Sequence, residues 1–175
     1  TVAVASDGAR VPLTILYHKN TQIDGTAPAL LYGYGSYGIF MPASFSTARL
    51  PLVDRGMVYC IAHIRGGQDR GYQWYLDGKL MKKQNTFSDF ARAAEALVEQ
   101  KFAAPKQIVI EGRSAGGLLV GAVMNQRPEL FAGVIGGVAF VDVINTISDG
   151  ELPLTPPEWT EWGDPIKSKE AFDYM

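Results

Sequence analysis

Gln107-Ile108-Val109-Ile110-Glu111-Gly112-Arg113-Ser114-Ala115-Gly116-Gly117 is a short apolar run that passes through a glycine-flanked serine into a second apolar stretch, Ala115 to Met124. A buried strand followed at once by a helix fits this text, because Gln107 to Ile110 is too short for a helix and Pro128 cannot continue the second stretch. The connecting string Gly112-Arg113-Ser114-Ala115-Gly116 must then turn sharply. In such a turn the serine sits in a strained conformation, and the residues two before and two after it come too close for side chains. Gly112 and Gly116 answer that need. The turn would hold the Ser114 hydroxyl at the carboxyl edge of a sheet, with the Ala115 amide and the positive end of the helix dipole facing the same space. A phosphate loop would need a Lys-Ser/Thr pair and a dinucleotide site the pattern G-x-G-x-x-G, and neither is formed here.

Outward from this turn, Ala29 to Tyr32 and Met57 to Ile64 are continuous apolar runs of the same kind, the pattern of parallel strands covered on both faces. Between Met57 to Ile64 and Gln107 to Ile110 lies Phe87 to Phe102, where Phe87, Phe90, Ala94, Leu97 and Val98 recur at helical spacing, which predicts a crossover helix. Thr86 with Asp89 three residues on resembles a capping arrangement at its start. Val134 to Phe140 reads as one more strand. Thr1 to Ala5 and Val11 to His18, joined through Asp7-Gly8, read as an antiparallel hairpin. From Glu151 onward the chain turns rich in Pro, Trp and acids and reads as an irregular excursion over the active face. The fold class expected is α/β, a partial α/β-hydrolase fold: a mostly parallel sheet, the N-terminal antiparallel hairpin, and helices on both faces.

With 175 residues, 47% of them hydrophobic, the chain can bury one core and is read as one domain. Sixteen Lys and Arg against 18 Asp and Glu give a formal charge of -2. No general attraction to nucleic acid or to an anionic membrane follows. No apolar run approaches the roughly 18 residues of a membrane span. Cys60 is the single cysteine, so no intramolecular disulfide can form, which fits a reducing compartment. The text begins in a strand and stops without a terminal element, so a fragment is expected. No His/Cys/carboxylate cluster has ligand spacing, so neither metal nor organic cofactor is expected.

A serine hydroxyl becomes a nucleophile when a base takes its proton, and in this fold the acid and the histidine follow the serine in sequence. The two histidines here, His18 and His63, both precede it. His63 lies in Tyr59-Cys60-Ile61-Ala62-His63-Ile64 and reads as a hydrogen-bonded residue at a strand end, and Cys60 as a small core residue. The triad is therefore expected to be incomplete in this chain.

Five segments, taken in order, carry a resemblance: Leu31-Tyr32-Gly33-Tyr34-Gly35-Ser36-Tyr37-Gly38, Ile64-Arg65-Gly66-Gly67, Asn85-Thr86-Phe87-Ser88-Asp89-Phe90, Gly112 to Gly117, and Asn125-Gln126-Arg127-Pro128-Glu129-Leu130-Phe131. Together they resemble the prolyl oligopeptidase family over essentially the whole chain. The resemblance implies a cytosolic serine peptidase that acts on short peptides through an acyl-enzyme on Ser114. It implies a β-propeller ahead of this domain and an Asp and a His after it. It also implies an oxyanion site made of the Ala115 amide and the Tyr34 hydroxyl, with Gly33 and Gly35 letting that backbone bend.

The branch of the family that prefers Arg or Lys before the scissile bond holds that side chain with two glutamates in the segment matching Pro157 to Trp162. Glu158 takes the first position, Thr160 stands where the second is expected, and Glu161 is adjacent to it. The same residues also read as a capping box, with Thr155 as cap, Pro156 at the first helical position and Glu158 three beyond the cap. An esterase or aminopeptidase of similar fold, and a non-catalytic or remnant domain of this fold, are the alternatives. The lipase-type His-Gly-Gly-Gly loop is absent, which counts against a plain esterase.

Overall fold

A computed structural model describes residues 1–175. Six strands form one sheet in the order β1-β2-β4-β3-β5-β6: β1 Val2–Val4, β2 Arg10–Leu16, β3 Ala29–Tyr32, β4 Val58–Ala62, β5 Ile108–Arg113 and β6 Phe131–Gly137. The hairpin β1-β2 closes at Asp7-Gly8, where Gly8 has φ +85° and the Asp7 carboxylate accepts from the Ala9 amide at 3.0 Å. β2 pairs antiparallel with β4; β3 pairs parallel with β4 and with β5, and β5 parallel with β6.

The order of the strands dictates where the helices go. From β3 the chain steps to β4 through α1, Leu50–Asp54, and from β4 it steps back across β3 to β5 through α3, Gln84–Glu99. From β5 it continues the same way to β6 through α4, Ala115–Gln126. Right-handed crossovers in opposite directions must cover opposite faces. So α3 and α4 pack together on one face, over Leu31, Cys60, Ala62, Ile108 and Ile110, while α1 and its approach cover Leu30, Tyr59 and Ile61 on the other. The direction reverses between β3 and β5, and a crevice opens there beyond the carboxyl ends of the strands, where open α/β sheets place their ligands.

Three expectations are corrected. The Thr86–Asp89 cap does not exist: α3 begins at Gln84, both residues are buried inside it, and neither side chain bonds to the helix's own amides. Thr86 Oγ1 instead donates to the carbonyl oxygens of Arg65 and Gly78, and the Asp89 carboxylate receives the Arg65 side chain at 2.6 and 2.8 Å. The last strand is β6 at Phe131–Gly137, not Val134 to Phe140, because Val138 takes φ +44° and turns the chain back. The segment after Glu151 is not irregular. With the short helices α2 Tyr72–Leu76 and α5 Val143–Ile147 before them, α6 spans Thr155–Trp162 and α7 Lys169–Tyr174. Pro156 and Pro157 fall in the first turn of α6, where a missing N–H costs nothing, and Pro153 and Pro165 lie outside the helix on either side of it.

Candidate active site

β5 runs into α4 through Ser114, which holds φ +53° and ψ -119°. That conformation costs a non-glycine residue on the order of 1–3 kcal/mol and persists only where its surroundings enforce it. The enforcement is visible. The Ser114 amide donates to Gly137 O at 2.9 Å, and its carbonyl accepts from Gly117 at 2.8 Å and from Phe140 at 3.1 Å. A β-carbon on Gly112 would overlap the Gly116 carbonyl, and one on Gly116 would stand 2.9 Å from Gly33 O and 3.3 Å from the Tyr34 ring. Both expected glycines are therefore placed where backbone meets backbone or an aromatic ring.

Gly33 and Tyr34 follow β3, the strand beside β5, so Tyr34 and Ser114 stand on the two sides of the crevice. Burial pushes the Tyr34 phenol above its ordinary pKa, with nearby Tyr32 and Glu158 adding to it, while the Ser114 side chain acts as a hydrogen-bonding neighbour that pulls the other way. The phenol thus stays protonated, as a hydrogen-bond donor must. Ala115 is the first residue of α4, so its amide has no acceptor within the helix. Gly35 has φ +74°, which makes the bend after Tyr34 possible.

A cleft of about 220 Å³ opens beside Ser114, walled by Tyr37, Phe140, Thr146, Ile147, Leu154, Thr155 and Glu158. Glu158 is half-buried on α6 and accepts at Oε2 from the Tyr37 hydroxyl at 2.9 Å and from Trp162 Nε1 at 2.7 Å. Burial raises the Tyr37 phenol and the bond to Glu158 raises it further, so it donates throughout the ordinary pH range. Both donated bonds fall on Oε2. The capping-box reading is overturned, because Thr155 is itself in the first turn and its hydroxyl donates to Thr146 O at 2.8 Å. Thr160 is exposed and its hydroxyl donates to Pro157 O. Glu161 is 2% exposed, and Oε1 takes the Tyr37 amide at 2.9 Å and Oε2 the Tyr75 hydroxyl at 2.7 Å.

Neither histidine reaches this crevice. His63 is held between Thr14 Oγ1 and Asp69 Oδ1, each at 2.8 Å, at the end of β4. His18 follows β2, which is antiparallel to its neighbour and so ends at the opposite edge of the sheet. Cys60 is fully buried in β4, and burial pushes its thiol up. Sequence reasoning missed Tyr37 and Phe140, which wall the cleft, and the buried role of Glu161. Its i+3 spacing from Glu158 on one helix was the available signal.

The profile of the prolyl oligopeptidase family matches residues 43–175. The chain belongs to the prolyl oligopeptidase family. Among its members, the chain is 47% identical over 173 residues to "Protease 2" of Moraxella lacunata, covering 99% of this chain and 25% of that protein. It is 48% identical over 174 residues to "Dipeptidyl aminopeptidase BI" of Pseudoxanthomonas mexicana, covering 99% and 24%. Oligopeptidase B from Leishmania major superposes over 100% of this chain and 24% of its own length, with a TM-score of 0.96 and 52% identity. Oligopeptidase B from Trypanosoma brucei, with covalently bound antipain in a closed form, gives 0.96 and 50% over 100% and 25%. The chain spans about a quarter of the length of these family relatives, and within it the match to the α/β-hydrolase domain is continuous.

Proposed function

We propose that residues 1–175 form part of the catalytic domain of a serine oligopeptidase of the oligopeptidase B kind, acting on short peptides. Ser114 Oγ attacks the peptide carbonyl, the Tyr34 hydroxyl and the Ala115 amide receive the developing oxyanion, and an acyl-enzyme on Ser114 is hydrolysed by water. A His from a following segment, oriented by an Asp of that segment, takes the serine's proton and hands it to the amine that leaves as the acyl-enzyme forms, so this chain by itself is a poor catalyst. The observation that carries the reading is the strained Ser114 at the strand-to-helix turn, with Tyr34 on the adjoining strand end and Glu158 on the wall of the same cleft.

No helix here is long and apolar enough to cross a membrane. With the single cysteine reduced and buried, the proposed setting is the cytoplasm. The test is a fluorophosphonate probe, applied to this chain and to a version extended through the proposed Asp and His, with mass spectrometry of the Ser114 peptide. Labelling of the extended protein is expected. A folded extended protein that stays unlabelled would leave the non-catalytic domain as the reading.

Glu158 gives the proposed preference for Arg or Lys before the cut bond. Its Oε2 is occupied by Tyr37 and Trp162, which leaves Oε1 to meet a cation in the cleft. With Thr160 in place of a second carboxylate, one acid does the work. Removing the partner of a charged hydrogen bond costs about 1.5–3 kcal/mol. Glu158→Gln in the full-length protein is therefore expected to lower kcat/KM for an Arg substrate by roughly ten- to a hundredfold while sparing one with an uncharged residue there. Equal losses on both substrates would remove Glu158 from the specificity role.

A further inference from the structure

Lys83 and Glu161 are buried and lie outside the reacting groups, yet both are bonded to the segment that carries Tyr34. Lys83 is 5% exposed just ahead of α3. Its Nζ donates to Gly35 O at 2.8 Å and to Ser36 Oγ at 3.2 Å, stands 3.8 Å from Glu161 Oε1, and lies 5.1 Å from the centre of the Trp162 ring. Glu161 Oε1 accepts from the Tyr37 amide. The backbone from Gly35 to Tyr37 is thus held at one end by an ammonium and at the other by a carboxylate, and the two charges are themselves paired.

The grip continues into the cleft. Tyr37, whose amide bonds Glu161, uses its hydroxyl to bond Glu158 three residues earlier on α6, and its ring meets Trp162 edge-on with centroids 5.7 Å apart. Spacing of i and i+3 puts both carboxylates on one side of the helix, so a single face of α6 holds the backbone amide and the side-chain hydroxyl of one residue. Tyr75 stays tied to Glu161 Oε2 and receives Lys79 Nζ at 2.7 Å. Burial pulls the Lys83 ammonium down to about 8, with Glu161 acting against that fall. Two buried charges are costly to keep in a domain unless they are paired and hydrogen-bonded, and here the pairing and the bonds converge on the Gly35–Tyr37 segment.

Resting on the proposed peptidase function, we infer that Glu161 is a positioning residue: its buried carboxylate, balanced by Lys83, fixes the Gly35–Tyr37 backbone so that the Tyr34 hydroxyl stands where the oxyanion forms. A displacement of about 1 Å at a reacting centre can cost on the order of a hundredfold in rate. Glu161 touches neither substrate nor Ser114; it acts through Tyr34.

The test is a double-mutant cycle in the full-length protein, measured as kcat on a peptide substrate with Arg before the scissile bond, with probe labelling of Ser114 in parallel. Glu161→Ala is expected to lower kcat about a hundredfold and Glu161→Gln, which keeps the shape, about tenfold, with little change in KM. In a Tyr34→Phe background, each is expected to cost less than about twofold further, because the group it positions is gone. The same factor in both backgrounds, or an unchanged kcat for Glu161→Gln and Glu161→Ala, would overturn the inference while leaving the peptidase reading intact. Full activity in Tyr34→Phe would remove the oxyanion role and the inference with it. An unlabelled wild-type protein would remove the peptidase reading itself.

Discussion

Ser114→Ala in the full-length protein is expected to lower kcat on a short peptide substrate by a factor on the order of 10⁴ to 10⁶ and to abolish labelling by a fluorophosphonate. The size follows from the chemistry that the hydroxyl alone performs. In the proposed mechanism no acyl-enzyme forms without it, and what remains is the oxyanion stabilisation proposed for Tyr34 and the Ala115 amide together with substrate binding, which in serine peptidases leaves roughly 10³- to 10⁴-fold over water. The fold should survive, since Ser114 is exposed and its enforced conformation is held by backbone bonds to Gly137, Gly117 and Phe140 that alanine keeps. Alanine still bears a β-carbon at φ +53°, so no strain is relieved. A purified variant with native thermal stability and undiminished turnover would show that another residue is the nucleophile.

The elbow was legible because its demands are local. A strand, a turn crowded by backbone and a helix follow one another without a break from Ile108 to Gln126, and two glycines record the crowding. Strands β3, β4 and β5 were legible for a related reason: a sheet covered on both faces needs continuous apolar runs, and Leu30 with Leu31, or Tyr59 with Cys60, serve opposite faces. Thr86 and Asp89 were misread because Thr-x-x-Asp has the same text whether it caps its own helix or reaches a distant loop. Their partner Arg65 is 21 to 24 residues away in sequence, and no period marks it. The wall of the cleft was only partly legible. Glu158 was found through the resemblance, whereas Glu161 was noted only as standing next to the expected second position, and its burial depends on which side of α6 is turned into the protein.

Asp89→Ala is expected to be the most damaging single change to the fold, costing about 3–5 kcal/mol. Asp89 is completely buried in α3 and takes the Arg65 amide at 3.1 Å, its Nε at 2.8 Å and one terminal nitrogen at 2.6 Å. Arg65 is 5% exposed, and only Asp7, on the far side at the hairpin turn, would be left to balance it. The guanidinium is held charged by both acids and cannot escape by losing its proton. Removing the buried acid strands a charge and three donors in a dry interior, which is costlier than the pair's own net contribution. For a domain of this size the loss corresponds to a fall in unfolding midpoint of roughly 6–20 °C. The damage should reach the active site as well, because Arg65 leads into Gly66, whose carbonyl accepts from the Gly38 amide at 3.0 Å at the end of the Tyr34 segment. Replacing Arg65 and Asp89 together with Met and Leu should recover part of the stability, since no charge is then stranded. An unfolding midpoint for Asp89→Ala within about 2 °C of wild type would mean that water or Asp7 satisfies Arg65, and that the buried pair does not hold α3 to the loop after β4.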